Sequence, residues 1–132
     1  MKILDTDHCI AILRGSLDLR PRVAPQEALA VTAISVGELT HGAHKSLRAA
    51  ENLARLDVLL AALSVLPYDE ACARRFGWLK AQLEKSGERL DDLDLQIASI
   101  ALENNQPLVT HNLQHFARLQ AGLPLQLEDW LS

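Results

Sequence analysis

Acidic and polar groups recur just beyond the short apolar runs of this chain. Asp5-Thr6-Asp7 follows Lys2 to Leu4, Ile34-Ser35-Val36-Gly37-Glu38 follows Leu29 to Ala33, and His111-Asn112 follows Pro107 to Thr110. A further acid, Asp94, lies within an apolar helical stretch. Carboxylates brought together repel one another unless a hard cation neutralises them. All-oxygen donors of this kind suit Mg2+ or Mn2+ rather than zinc. A cation held by carboxylates, with coordination positions left open, activates water and stabilises charge on a phosphodiester. Asp5, Glu38 and Asp94 are therefore candidate metal ligands, and metal-assisted phosphodiester hydrolysis is the chemistry they suggest.

Asp94 carries the sharpest signal. On a helix starting at Asp92, with about 100° between residues, Ile97, Ala98 and Ala101 fall within about 60° of Asp94. Gln96, Ser99 and Glu103 fall on the opposite side. A carboxylate in the middle of an apolar stripe costs several kcal/mol unless it is paired, capped or bound to a cation. Each acid also has a purely local reading. Asp5 can be a turn or cap residue at the strand end and Asp94 a helix cap, although Asp91 and Asp92 are better placed for capping. Ser35-x-x-Glu38 matches a capping box, in which the Glu reaches back to the first amide of its helix.

Strands and helices must alternate to bring these residues together. Lys2 to Leu4 reads as a buried strand, and Thr6 as the cap of a helix over Asp7 to Arg14 that Gly15 ends. Leu29 to Ala33 reads as a second strand, Ser35 to Lys45 as a helix, and Leu47 to Leu63 as another with leucines at 53, 56, 60 and 63. Those leucines suit a core or a contact between two copies. Val65-Leu66 is a short strand stopped by Pro67. Asp69 caps a long helix ending at Gly87, and Asp92 to Asn104 forms the next helix. Pro107 to Thr110 and Leu125 to Leu127 complete the strands. Short apolar strands separated by helices imply an α/β fold with a parallel sheet covered on both faces. Ligands in such sheets bind beyond the carboxyl ends of the strands, where the acids fall.

The length suits one domain, residues 1–132. With 48% hydrophobic and 23% charged residues the chain is globular, and its net charge of −4 does not suit a broad grip on duplex DNA. Two cysteines make no disulfide framework and read as small core residues of a reducing compartment. No apolar run approaches the length of a membrane span. The early Asp5 does not suit a signal peptide, so a cytoplasmic protein is expected. His111 and His115, His41 and His44, or His8 with Cys9, make weak zinc candidates without a Cys-x-x-Cys or His-Glu-x-x-His pattern. There is no G-x-G-x-x-G and no P-loop. Asp5 and Asp7 after the first strand suggest a phospho-acceptor receiver, but that design would place a lysine after a late strand, whereas the last lysine here is Lys85.

Taken in order, Leu4-Asp5-Thr6-Asp7, Ile34-Ser35-Val36-Gly37-Glu38-Leu39 with Gly42-Ala43, Asp94-Leu95-Gln96-Ile97-Ala98-x-x-Ala101-Leu102, Leu108-Val109-Thr110-His111-Asn112-x-x-His115-Phe116 and Gly122-Leu123 with Trp130 resemble the PIN-domain ribonucleases. Among these the chain is most similar to the VapC toxins of toxin–antitoxin pairs. The resemblance implies a three-layer α/β/α fold around a short, mainly parallel sheet. It implies cleavage of RNA with Mg2+ or Mn2+, homodimerisation, and neutralisation by a small VapB-like antitoxin. By position, Asp5, Glu38 and Asp94 correspond to three members of the family's acidic quartet, and Thr110 and Asn112 to residues that support water or the scissile phosphate. His115 stands at the fourth acidic position, which puts a second metal site in doubt. Arg14, Lys45 and Arg48 are candidates to hold RNA phosphates. The other reading, prompted by the missing acid, is a catalytically silent PIN fold that serves as a binding or dimerisation module.

Overall fold

The computed structural model describes residues 1–131; Ser132, the last residue of the expected domain, lies outside the described residues. The elements run β1 (Lys2–Leu4), α1 (Thr6–Leu13), β2 (Leu29–Thr32), α2 (Ala33–Lys45), α3 (Ala49–Ala61), β3 (Ser64–Leu66), α4 (Glu70–Lys85), α5 (Asp92–Asn104), β4 (Leu108–Val109), α6 (Leu113–Ala117) and β5 (Leu127–Glu128). The strands form a single sheet in the order β3-β2-β1-β4-β5, and every neighbouring pair is parallel.

Side chains alternate across the sheet, as strand geometry requires. Ile3, Ala30 and Leu108 point to one face, where they pack with Leu79 and Leu83 of α4, with Ile97, Ile100 and Ala101 of α5, and with Phe116 of α6. Leu4, Val31 and Val109 point to the other, against Cys9 of α1, Leu39 of α2, Leu56 of α3 and Trp130. The result is three layers, with β1, β2 and β4 buried on both faces. Leu56 is part of this second cluster and Leu60 and Leu63 pack against it, so these three positions of the leucine pattern serve the core. Cys9 and Cys72 are free and buried, and burial pushes the Cys9 thiol up to about 12, which keeps it protonated and inert. No helix among the described residues is long and apolar enough to cross a membrane.

Several boundaries differ from expectation for local reasons. Asp5 rather than Thr6 caps α1, in keeping with its local reading as a cap at the strand end, its Oδ1 accepting the Thr6 N–H at 2.8 Å. Thr32, not Ser35, caps α2 through the Ser35 N–H at 3.1 Å. The helix therefore starts two residues early, and Ser35-x-x-Glu38 forms no capping box. Glu38 moves into the second turn, which leaves its carboxylate available elsewhere. α3 is shorter than Leu47 to Leu63 at both ends, and Leu47 is fully exposed. α6 was not expected, because five residues are too few to show a helical period. β5 lies at Leu127–Glu128 rather than Leu125 to Leu127, since its register is set by pairing of Leu108 with Leu127.

α5 is more deeply embedded than a one-sided stripe implies. Residues Ile97 through Leu102 are all buried, Ser99 included. The Ser99 hydroxyl donates to the Leu95 carbonyl at 2.6 Å, which removes the cost of an unpaired buried hydroxyl. The helix ends where Asn105 adopts the left-handed conformation, φ 51°, which asparagine tolerates and β-branched residues do not. Asn105→Val is expected to lower stability by about 1–2 kcal/mol, whereas Asn105→Gly stays close to wild type; urea midpoints compare the two.

Candidate active site

The chain leaves β1 towards β2 and β3 on one side, then returns to lay β4 on the other. The sheet order therefore reverses between β1 and β4, and in doubly wound folds the crevice outside the strand ends at that point binds ligands. Asp5 follows β1 there and Thr110 follows β4. The Asp5 N–H still pairs with the Val109 carbonyl at 2.9 Å, so the last ladder bond holds its carboxylate at the sheet edge. The Thr110 hydroxyl donates to Asp5 Oδ2 at 2.7 Å, and its oxygen accepts the Asn112 N–H at 3.0 Å. With the cap bond to Thr6, both Asp5 oxygens are engaged, and only 5% of the residue is exposed.

Glu38 reaches the same place from α2. Thr6 Oγ1 donates to Glu38 Oε1 at 2.8 Å and stands 2.9 Å from Ser35 Oγ. The first turn of α1 is thereby tied to the second turn of α2. Thr6→Val deletes the donor and is expected to cost about 1 kcal/mol, seen as a lower denaturant midpoint. Asp94 enters from the first turn of α5, half-buried.

These acids lie near enough to act on one another's charge. Burial lifts the Asp5 carboxyl from its ordinary 3.8 to about 6; the charges of Asp7 and Asp94 add to the rise, against the hydrogen bonds from Thr110 and Thr6. Asp94 is likewise pushed up to about 6, by burial first and then by the charges of Asp91, Glu38 and Asp7. Among the described residues no lysine or arginine pairs with Asp5, Asp7, Glu38 or Asp94. The crevice thus gathers negative charge without a protein cation to balance it.

Such a donor set fits a hard cation. As placed, no three His, Cys, Asp or Glu side chains among the described residues close around one point tightly enough to form a protein cage. Mg2+ does not need one: it keeps several waters and is usually held by one or two carboxylates. The fit is to a hydrated ion bound by part of the acid cluster, with open positions for substrate.

The chain matches the model of the PIN domain over residues 2–121. It belongs to the PIN-domain family. Ribonuclease VapC2 of Rickettsia felis is 31% identical over 135 residues, spanning 97% of this chain and 96% of that protein. The tRNA(fMet)-specific endonuclease VapC of Salmonella typhimurium is 32% identical, spanning 97% of this chain and 96% of its own. The crystal structure of DNA-bound VapBC from Salmonella typhimurium matches with a TM-score of 0.89 at 31% identity, over 98% of this chain and 97% of that one. Within the PIN-domain family the chain is one of the VapC ribonucleases. Nucleases of the family generally depend on a divalent metal.

Other residues singled out in this PIN-domain sequence fall less centrally. Asn112 is exposed at the start of α6, and its side chain makes no hydrogen bond among the described residues. His115 is exposed on α6, and its ring has no hydrogen bond or ion pair there. Arg14 shares with Glu38 a groove of about 430 Å³ between α1, α2 and α3, which is also lined by Leu39, Leu56 and Arg55. Lys45 lies seven residues past Glu38, about 10 Å along the helix. Arg48 faces Glu51 at 3.6 Å. Neither Lys45 nor Arg48 is held at the acid cluster.

Asp7 and His8, which the sequence suggests only as part of a receiver-like acid pair and as a weak zinc candidate, belong beside this site. Asp7 accepts the His111 N–H through Oδ2 at 3.0 Å, and His8, wholly buried, contacts Asp7 Oδ1 through Nδ1 at 2.7 Å. The signal was the run Asp5-Thr6-Asp7-His8 immediately after a strand. Spacing alone does not say that the second acid turns back towards the sheet edge.

Proposed function

We propose that the chain is the toxin of a type II toxin–antitoxin pair, an endoribonuclease that uses Mg2+ or Mn2+ at Asp5, Glu38 and Asp94. The observation that carries this reading is the unbalanced carboxylate cluster at the switch point of a sheet whose relatives are VapC ribonucleases. Asp5 and Asp94, whose anions are costly as they stand, hold the cation directly or through water. Bound there, the ion supplies neutralising charge and an acidified water for attack on phosphorus. Glu38, set by Thr6, completes the shell or orients the attacking water. Thr110 fixes Asp5 and the turn that follows, and Asn112 is free to donate to a phosphate oxygen of the scissile bond.

The partner in this reading is a VapB-like antitoxin, as in the VapBC complex from Salmonella typhimurium. The groove beside Glu38 offers apolar walls next to the acids, so a segment seated there would reach the site. The protein acts in the cytoplasm, where its RNA is, and as a homodimer. Light scattering at tens of micromolar, roughly the range in which weak dimers form, is expected to give twice the chain mass; a monomer there counts against the dimer.

Initiator tRNA, named in the Salmonella relative's activity, is the first RNA to test. The purified chain is expected to cleave it with Mn2+ and not with EDTA. Absence of cleavage of tRNA, ribosomal RNA and messenger RNA with either Mg2+ or Mn2+ would leave the silent binding module as the better account.

A further inference from the structure

Asp7 has an environment that helix capping does not explain. α1 is already capped by Asp5, and Asp7 sits within the first turn with 35% of its side chain exposed. Both its oxygens are held. His111 donates its backbone N–H to Oδ2 at 3.0 Å, and His8 approaches Oδ1 at 2.7 Å. The same Oδ2 lies 3.5 Å from Thr110 Oγ1. That hydroxyl has a single proton, which it gives to Asp5 Oδ2 at 2.7 Å, so the Asp5 and Asp7 carboxylates stand around one hydroxyl.

The direction of the His8 bond can be read from its other nitrogen. Nε2 receives the backbone N–H of Trp130 at 3.1 Å, and a ring nitrogen that accepts carries no proton. The proton of the neutral ring is therefore on Nδ1, and Nδ1–H donates to Asp7. His8 is fully buried and has no freedom to turn. A buried ring thus spends its only donor on a partly exposed acid and aims it at the sheet edge. Metal sites use hydrogen-bonded partners of this kind to orient the groups that bind. His115 shows none of this: it is exposed, and its ring has no hydrogen bond or ion pair among the described residues.

We propose that Asp7 is a fourth carboxylate of the cation site, aimed by His8 as a positioning residue and by the His111 amide. The inference rests on the reading of Asp5, Glu38 and Asp94 as that site. Each carboxylate oxygen of Asp7 keeps a lone pair beyond the bond it accepts, which is available to the ion or to one of its waters.

Calorimetric titration of Mn2+ into the full-length chain, without RNA, tests this independently of activity. Asp7→Asn is expected to weaken binding by about tenfold or more, and His115→Ala to leave it unchanged. Two substitutions separate aiming from mere packing at position 8. His8→Asn keeps a donor near Nδ1 and loses the acceptor for Trp130. His8→Gln keeps the acceptor and loses the donor. Affinity held in His8→Asn and lost in His8→Gln supports the positioning role; equal affinities, or the reverse order, overturn it. Wild-type affinity in Asp7→Asn, with Asp94→Asn defective, overturns the fourth carboxylate and leaves the three-acid site standing. A loss in His115→Ala as large as that in Asp94→Asn gives the fourth place to His115. Wild-type affinity in Asp94→Asn overturns the three-acid site itself, and the inference with it.

Discussion

Asp5→Asn and Asp94→Asn are expected to cleave RNA about 10³-fold more slowly than the wild type in Mn2+, and neither should inhibit growth when expressed. The substitution keeps the size of each side chain and removes one negative charge from the crevice. At Asp5 an amide oxygen can still accept the Thr6 N–H that Asp5 accepts at 2.8 Å. The helix cap and the fold are therefore retained, and lost activity reports on charge. At Asp94 no side-chain cap bond exists to lose, because the position before α5 belongs to Asp91. Circular dichroism and a cleavage time course on the same preparations separate folding from chemistry. Near wild-type rates in both variants would remove the carboxylates from the mechanism.

The second large effect is a reversal of stability order with metal. Without metal at pH 7, wild type carries two acids whose anions are disfavoured, with Asp5 and Asp94 both raised from 3.8 to about 6. A carboxyl raised in the folded state binds more protons folded than unfolded between those values. Stability from these groups is thus greatest below about pH 4, falls as pH climbs towards 6, and stays low above it. A rise of that size corresponds to about 3 kcal/mol for one isolated buried group. The effect is smaller at Asp94, which water reaches, and the coupled pair gives less than twice that value. Asp94→Asn should therefore melt above wild type at pH 7 in EDTA, with the gap narrowing by pH 5. Mn2+ at a hundredfold excess over Kd should add about 2.7 kcal/mol to wild type, on the order of 10 °C in Tm for a chain this long, and little to Asp94→Asn. Equal metal-induced shifts in the two proteins would mean that Asp94 takes no part in holding the ion.

How much of this was legible beforehand follows from the range of the forces involved. The strand at Lys2 to Leu4 and the one from Leu29, expected to run to Ala33 but ending at Thr32, are visible because two buried faces demand continuous apolar residues, and α4 is visible because Asp69 caps it. The parallel sheet and the site edge followed from the alternation of strands and helices, a constraint on connections rather than on contacts. Asp94 stood out because periodicity shows when a charge interrupts an apolar stripe. Periodicity did not show that α5 is enclosed on nearly every side, since Ser99 looks like a surface residue until a second layer covers it. The cap of α2 also depended on the tertiary structure. Thr32 and Ser35 are both good caps, and only the point at which β2 leaves the sheet selects Thr32 and releases Glu38 towards Thr6. The same holds for Asp7. Its sequence neighbours are common to many helix starts, but its orientation is set by Trp130, on the far end of the chain, which fixes the proton of His8. Local propensity and patterning determined the elements and the edge at which the acids meet. Hydrogen bonds between residues more than a hundred positions apart decided which way Asp5 and Asp7 point, and one 32 positions apart set Glu38, because such bonds exist only after the fold has brought these segments together.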